Sequence, residues 1–441
     1  SWLLMGLPGL AYATGFSQAG WTAIGLILGT YLNWKIVAKR LRHYTEVADN
    51  AITVPDFFSN RFKDDKKILS SISAVMILIF FTVYTASGFA ACGTLFNSVF
   101  GLNYQKSMIV CAIVIVLYTS MGGFLAASTT DLIQGLLMSF AIVIVLIVGV
   151  VNAGGVANVI AHGQAMEGFF DVMKYHDPAT GGAVSQGVIP ILSGLAWGLG
   201  YMGMPHILIR YISIKSEKEM KKSRIVGTCW TGIILVMASV VGMVGLKYLG
   251  GGLTDNSQVF IRLVRGVFPA LVAGILLSAI LAASMSTADS QLLASSSAFS
   301  SDVYKPIFRK SASDKEMLWA GRIVVIIISV VALAIAMNPD CEGIMALVSN
   351  AWGAFGSAFG PVIVLSLYWK RLNYNGALAS IIVGFAVDML WYKFLATPTG
   401  LYEIVPGFAA AFITAIVVSL LTKKPDDKVA EIFEKAKLPT E

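Results

Sequence analysis

Apolar residues run along this chain in stretches of 18 or more, separated by short polar breaks. Each stretch is long enough to cross a hydrocarbon core of roughly 30 Å as a helix. The pattern predicts eleven full spans, at about 17–42, 66–99, 104–122, 125–153, 188–210, 221–249, 268–296, 316–337, 342–369, 373–395 and 402–422. A twelfth stretch, 2–15, precedes them; the chain enters it part-way, which predicts an N-terminally incomplete fold. Longer polar segments fall at 43–65, 154–187 and 300–315, and in a tail, 423–441, that reads as a short solvated helix or a disordered end.

Composition agrees with an all-α polytopic membrane protein: 56% of residues are hydrophobic and 13% charged, with a mean hydropathy of +0.76. The net charge of +7 needs no polyanionic partner, because the basic residues sort by side. All of the 32 except Lys35, Lys106, Lys174, Lys247, Arg262, Arg265 and Lys393 fall in alternate loops and the tail. The positive-inside rule makes that side, and the C-terminus, cytoplasmic. Four cysteines without paired spacing and four histidines give no disulfide framework and no metalloenzyme pattern. The chain carries no nucleophile elbow, no phosphate-binding loop and no zinc-protease motif. The composition thus points to a carrier without an enzymatic site, drawing on an ion gradient. One cation crossing about 100 mV releases ~2.3 kcal/mol and a tenfold ratio ~1.4 kcal/mol, together enough to concentrate a neutral solute several hundredfold.

Within the apolar background, helix-breaking residues cluster twice: "GLPG" at 6–9 and "SGLAWGLGYMGMPHIL" at 193–208. Counted from the first helix, these are spans one and six. Interrupted helices at matched positions of two five-helix halves are the mark of an inverted-repeat transporter. Glycine and proline are also simply common in membrane helices. Trp197, Tyr201 and Pro205 recur every four residues on the second break and, with Tyr84 in "FFTVYTASG", offer aromatic walls for a small solute; the plainer alternative is packing.

The run "LAASMSTADSQ" at 281–291 is the other departure. Ala283, Ser286, Thr287 and Ser290 share one helical face, where hydroxyls folded back on the helix would cluster oxygens beside the Ala283 carbonyl. Such neutral oxygens suit a hard monovalent cation, and equally suit close helix–helix packing. Asp289 and Asp131 are acids inside spans, candidates for an ion pathway. Asp131, in "GGFLAASTTD", also reads as a helix-start acid beside the positive dipole end. Asp388, near a helix end, reads as interfacial.

Together these blocks resemble the sodium:solute symporter family. "SLYWKRLNYNGALASIIVGFA" at 366–386, with Arg371, Gly376-Ala377 and Gly384, is similar to its signature. "GGFLAASTTD" and "SMSTADSQLL" resemble two further family blocks. "SWLLMGLPG", "WGLGYMGMPHILIRY" and "LYEIVPGFAAAF" resemble its bacterial proline-transporting members. The resemblance implies a leucine-transporter-like core of two inverted five-helix repeats, 1–153 and 188–369, with peripheral helices at 373–422 and a cytoplasmic tail at 423–441. It implies a Na⁺-coupled symporter of a bacterial inner membrane that imports L-proline by alternating access. It carries a sodium site onto Ala283 (carbonyl), Ser286 and Thr287 (hydroxyls), whose other half, with an essential aspartate, aligns ahead of Ser1. Substrate contacts fall on Trp197, Tyr201, Pro205, Tyr84 and the Ser1-Trp2 backbone. Asp131 matches an acid near the ion path. Some relatives bind a second sodium through serines where this chain has Asp289 and Ser290. Other solutes of the family (pantothenate, a sugar, a sialic acid) and a transporter-like membrane sensor are the alternative readings.

Overall fold

The computed structural model describes residues 2–216, 218–338, 341 and 343–437, and they are helical almost throughout. A π-helical turn at Trp2–Gly6 leads into α1 (Leu7–Thr14); α2 (Phe16–Leu32) runs through a π-helical stretch, Asn33–Ala38, into α3 (Lys39–Val47). Then come α4 (Val54–Phe62), α5 (Ile68–Phe100), α6 (Tyr104–Asn152) and α7 (Val156–Gln164). The polar segment after α7 forms an antiparallel hairpin, β1 (Lys174–His176) with β2 (Ala183–Ser185), in which Tyr175 faces Val184. Next are α8 (Val188–Ala196), a 3₁₀ segment Trp197–Met202, α9 (Pro205–Ile212), α10 (Lys218–Leu249) and α11 (Val259–Val267). α12 (Ala270–Ser297) continues as π-helix over Ala298–Phe308 and is followed by α13 (Asp314–Met337), α14 (Ile344–Tyr368) and α15 (Tyr374–Phe394). The single turn α16 (Ala396–Thr399), α17 (Ile404–Leu421) and α18 (Asp427–Lys435) complete the order.

Eight of these helices are long and apolar enough to cross a membrane singly, and α8 with α9, bent by 46°, makes a ninth. The hydropathy pattern predicts eleven full spans, and the difference is one of geometry. α6 has 49 residues, about 73 Å at 1.5 Å per residue, far more than one crossing needs. It is broken at Gly123, whose φ of 63° and ψ of −171° only glycine adopts easily. Its last turns meet α11, where Gly149 faces Leu263, and the end of α5 that leads into its start meets the same helix, where Arg265 bonds the carbonyl of Ser98. α6 therefore supplies two spans meeting near residue 123, as the apolar runs 104–122 and 125–153 predict. α2 alone is short at 17 residues, but the π-stretch and α3 carry the rod onward.

Burial sorts these helices into centre and periphery. The apolar window of α14 is 89% buried, whereas those of α6, α15 and α17 are 22–28% buried and turn their apolar faces outward. Side-chain caps fix where several helices begin: Asn103 at α6, Ser313 at α13 and Asn373 at α15 each accept a bond from a first-turn N–H. The tail is not simply solvated. α18 buries Val429 and Phe433, and the Phe433 ring lies 5.3 Å from the guanidinium of the fully buried Arg61 in α4. Arg61 donates from Nε to the Ser366 carbonyl of α14 at 3.2 Å, so α18 packs on a joint between α4 and α14.

Candidate functional site

The glycine cluster at 6–9 does not interrupt its helix, which runs from the π-turn Trp2–Gly6 into α1 with Gly6 still helical (φ −68°, ψ −56°); the second cluster breaks its helix as the sequence predicts, and that break has a clear local cause. Trp197–Met202 tighten into 3₁₀ geometry, Met204 is extended (φ −77°, ψ 110°), and Pro205 opens α9, where its missing N–H costs nothing. Unwinding frees carbonyls, and side chains from distant helices take them up. Trp352 Nε1 of α14 donates to the Trp197 carbonyl at 2.8 Å, and Asn33 Nδ2 donates to that of Tyr201 at 2.9 Å. Gly200 permits the first contact, because a Cβ there would collide with the Trp352 indole. The Trp197 ring stands beside Trp2 (centroids 5.2 Å apart), Tyr402 (5.4 Å) and Trp352 (6.4 Å).

This aromatic wall faces the polar run of α12 across a cavity of about 300 Å³. Trp2, Tyr84, Trp197, Tyr201 and Trp352 line one part of it; Ala283, Ser286 and Thr287 line another. Thr287 Oγ1 turns back onto the Ala283 carbonyl at 3.0 Å, so a carbonyl and hydroxyls share one wall. The volume suits a small solute. Seven of the residues singled out in the sequence thus converge. Pro205 does not line the cavity: residues four apart share a face only on an α-helix, and the 3₁₀ turn with the extended Met204 rotates it away. Ser1 lies outside the described residues.

Two further cavities flank this one. Toward the basic loops, one of about 520 Å³ is lined by Asp131, His206, Arg210 and Ser290. Arg210 forms an ion pair with Asp131 and donates to Ser290 Oγ at 2.8 Å, while Ser290 Oγ lies 3.3 Å from Asp131 Oδ2. Asp131 is therefore no helix-start cap: it sits past the Gly123 break, held by a cation from α9. Asp289 faces away from this cavity. It is fully buried, with its Oδ2 3.0 Å from the hydroxyl of Tyr118, which also lies 3.0 Å from the Met285 carbonyl. At the opposite end, a cavity of about 820 Å³ is lined by Met345, Asp255 and Gly9. Trp2 Nε1 donates to Met345 Sδ at 2.7 Å and so stands between this cavity and the central one. Trp352, Met345 and Arg210, with Asn33, Tyr402 and His206, are among the members of the site that the sequence pattern does not single out.

A helix broken at mid-membrane, facing a hydroxyl-lined helix across a small cavity with a vestibule at either end, defines a multi-pass membrane transporter. The profile of the sodium:solute symporter family matches residues 1–384. The osmoregulated proline transporter OpuE of Bacillus subtilis is 47% identical over 438 residues, covering 98% of this chain and 86% of that one. The sodium/proline symporter of Escherichia coli is 43% identical over 444 residues, covering 99% and 86%. The chain belongs to the sodium:solute symporter family. Among solved structures, a Na⁺-coupled sialic acid symporter in a substrate-bound outward-open state superposes with a TM-score of 0.76 at 19% identity, covering 96% of this chain and 88% of that one. The fold is thus the leucine-transporter-like helical bundle.

Proposed function

We propose that this protein imports L-proline together with Na⁺ by alternating access. The observation that carries the reading is the convergence of Tyr84, Trp197 and Tyr201 with Ala283, Ser286 and Thr287 on one small cavity. A relative named a proline transporter, at 47% identity, and one named a sodium/proline symporter, at 43%, each over nearly the whole chain, support it. In this account the Ala283 carbonyl and the Ser286 and Thr287 hydroxyls contribute to a sodium shell, since a hard cation prefers neutral oxygens. The pyrrolidine ring packs on Trp197 and Tyr201 with Tyr84 opposite, an apolar ring against aromatic faces. The substrate carboxylate meets backbone N–H groups where the first helix begins near Trp2, close to the positive end of the helix dipole.

The two contacts that bound the cavity act as gates: Trp2 with Met345 on the outer side, Asp131 with Arg210 and Ser290 on the cytoplasmic side. Solute and cation, both held in the cavity, favour the arrangement in which the outer contact closes. In this account the repeats are 1–153 and 188–369, the helices at 373–422 are peripheral, and the tail from 423 lies in the cytoplasm of a bacterium, a side that the distribution of basic residues supports. Binding of radiolabelled L-proline to the purified protein tests the reading. Binding in sodium that is lost in choline, and is displaced by unlabelled proline but not by pantothenate, glucose or a sialic acid, is the expected result. Sodium-independent binding, or displacement by one of the other solutes instead, would overturn it.

A further inference from the structure

Arg61 of α4 is fully buried, and a guanidinium keeps its proton in a protein, so a full positive charge is enclosed with it. Nε donates to the Ser366 carbonyl of α14 at 3.2 Å. Neither Nη1 nor Nη2 has a hydrogen-bond partner among the described residues. Three rings surround the group, their centroids 5.6 Å (Tyr44 of α3), 5.0 Å (Phe62 of α4) and 5.3 Å (Phe433 of α18) from Cζ. Ring faces attract a cation, but they bring no counter-charge and accept hydrogen bonds only weakly. Two neighbours share the same condition: the Tyr44 hydroxyl and Ser366 Oγ are buried and unpartnered among the described residues. Burial pushes the Tyr44 phenol up to about 12, against the pull of the Arg61 charge; it is a neutral O–H donor. Three residues in contact thus hold four unused donor atoms around one uncompensated charge.

The acids of the surrounding elements are engaged elsewhere. Asp64, three residues on, accepts from the N–H groups of Ile68, Leu69 and Ser70 that open α5. In α3, Glu46 pairs with Arg42; in α4, Asp56 lies in the field of Lys67. In α18, Glu431 pairs with Lys435 and Glu434 with Lys370 and Lys437, while Asp427 is exposed. α14 contains no acid. A charge buried in this way is costly unless an ion of opposite sign meets it. The group that matches the site carries one negative charge, accepts from N–H and O–H donors, and fits among aromatic rings whose edges are positive. That is a small monovalent anion of the halide class; phosphate and sulfate bring a second charge that no other cation here balances, and a water molecule brings none.

We propose that Arg61, Tyr44 and Ser366 form a binding site for a small monovalent anion, chloride in size and charge, closed over by α18. The site stands apart from the transport cavity, where α3, α4, α14 and α18 meet on the side of the basic loops. Phe433 covers it, and its ring also lies 6.4 Å from that of Tyr44, so the anion and the docked tail hold each other in place.

Thermal unfolding of the purified protein, with sodium held constant while gluconate is exchanged for chloride or bromide, tests the proposal. The midpoint of the wild type should rise saturably with halide, and Arg61→Gln should lose that rise. Tyr44→Phe and Ser366→Ala each remove one donor and keep the charge, so half of the rise should need about two- to tenfold more halide. Should Arg61→Gln fail to fold, these two carry the comparison. Crystals grown in bromide should show an anomalous peak beside the Arg61 guanidinium. A midpoint indifferent to halide, a rise of the same size and concentration dependence in wild type and variants, or bromide crystals without that peak would overturn the proposal.

Discussion

Thr287→Ala removes one hydroxyl from the cavity wall formed by the Ala283 carbonyl and Ser286, while α12 remains an uninterrupted helix around it. In the structure that hydroxyl lies 3.0 Å from the Ala283 carbonyl, so carbonyl and hydroxyl oxygen are already gathered where a cation would meet both. A polar contact to a charged partner contributes about 1.5–3 kcal/mol. Its loss should raise the sodium concentration for half-maximal uptake roughly tenfold to a hundredfold. If the hydroxyls serve only to hold helices together, the change removes about 0.6 kcal/mol of packing and leaves the sodium dependence where it was. The assay is the initial rate of radiolabelled proline uptake into proteoliposomes as sodium is varied at saturating proline. Thr287→Ser, which retains the oxygen, should recover most of the wild-type curve. A Thr287→Ala protein that takes up proline with unaltered sodium dependence refutes the assignment of this wall to the cation.

Three further outcomes follow from the same geometry. Trp352→Phe keeps a ring beside Trp197 but removes the donor to its carbonyl; an unpaired buried acceptor costs about 1–3 kcal/mol, so half-saturating proline should rise about fivefold to a hundredfold with sodium dependence changed less. An equal shift in both would argue against a local role. Arg210→Gln releases Asp131 and loosens the contact at the basic-loop end, so a cysteine placed at Ser128, in a background without the four native cysteines, should react faster with a maleimide added from that side; an unchanged rate removes the gate. The bonds from Lys370 and Lys437 hold the Glu434 carboxyl below its ordinary value of 4.5. This tie is complete above that pH and is lost as pH falls through the lowered folded value. Corrected for the intrinsic pH dependence of exchange, the protection of the α18 amides should therefore fall selectively on acidification, and in Phe433→Ala at any pH; protection that is unchanged in both cases contradicts the docking.

The spans and the broken helix were legible because their causes are local. An apolar run of sufficient length, the gap between the runs 104–122 and 125–153 and a glycine-rich break before Pro205 each act on the backbone where they stand. The polar face of α12 was legible for the same reason, since helical periodicity puts Ala283, Ser286 and Thr287 together without knowledge of any neighbour. Periodicity failed at Pro205, where the helix it presumes is absent. Trp352 is not legible in the sequence because an aromatic residue in an apolar helix looks like packing; its role comes from a carbonyl 155 residues earlier in the chain. By sequence Arg210 is one more basic-loop charge, and its partner Asp131 lies 79 residues away. Asp388 looked interfacial by its distance from a helix end, and only the cover of α14 and α17 makes it buried.

The central claim, that proline entry is driven by sodium, meets its most direct test in sealed proteoliposomes with the membrane potential clamped. With an inward sodium gradient, labelled proline should rise transiently well above its external concentration and fall back as the gradient decays. Equal uptake with sodium on both sides, or accumulation that persists when choline replaces sodium, would contradict the account.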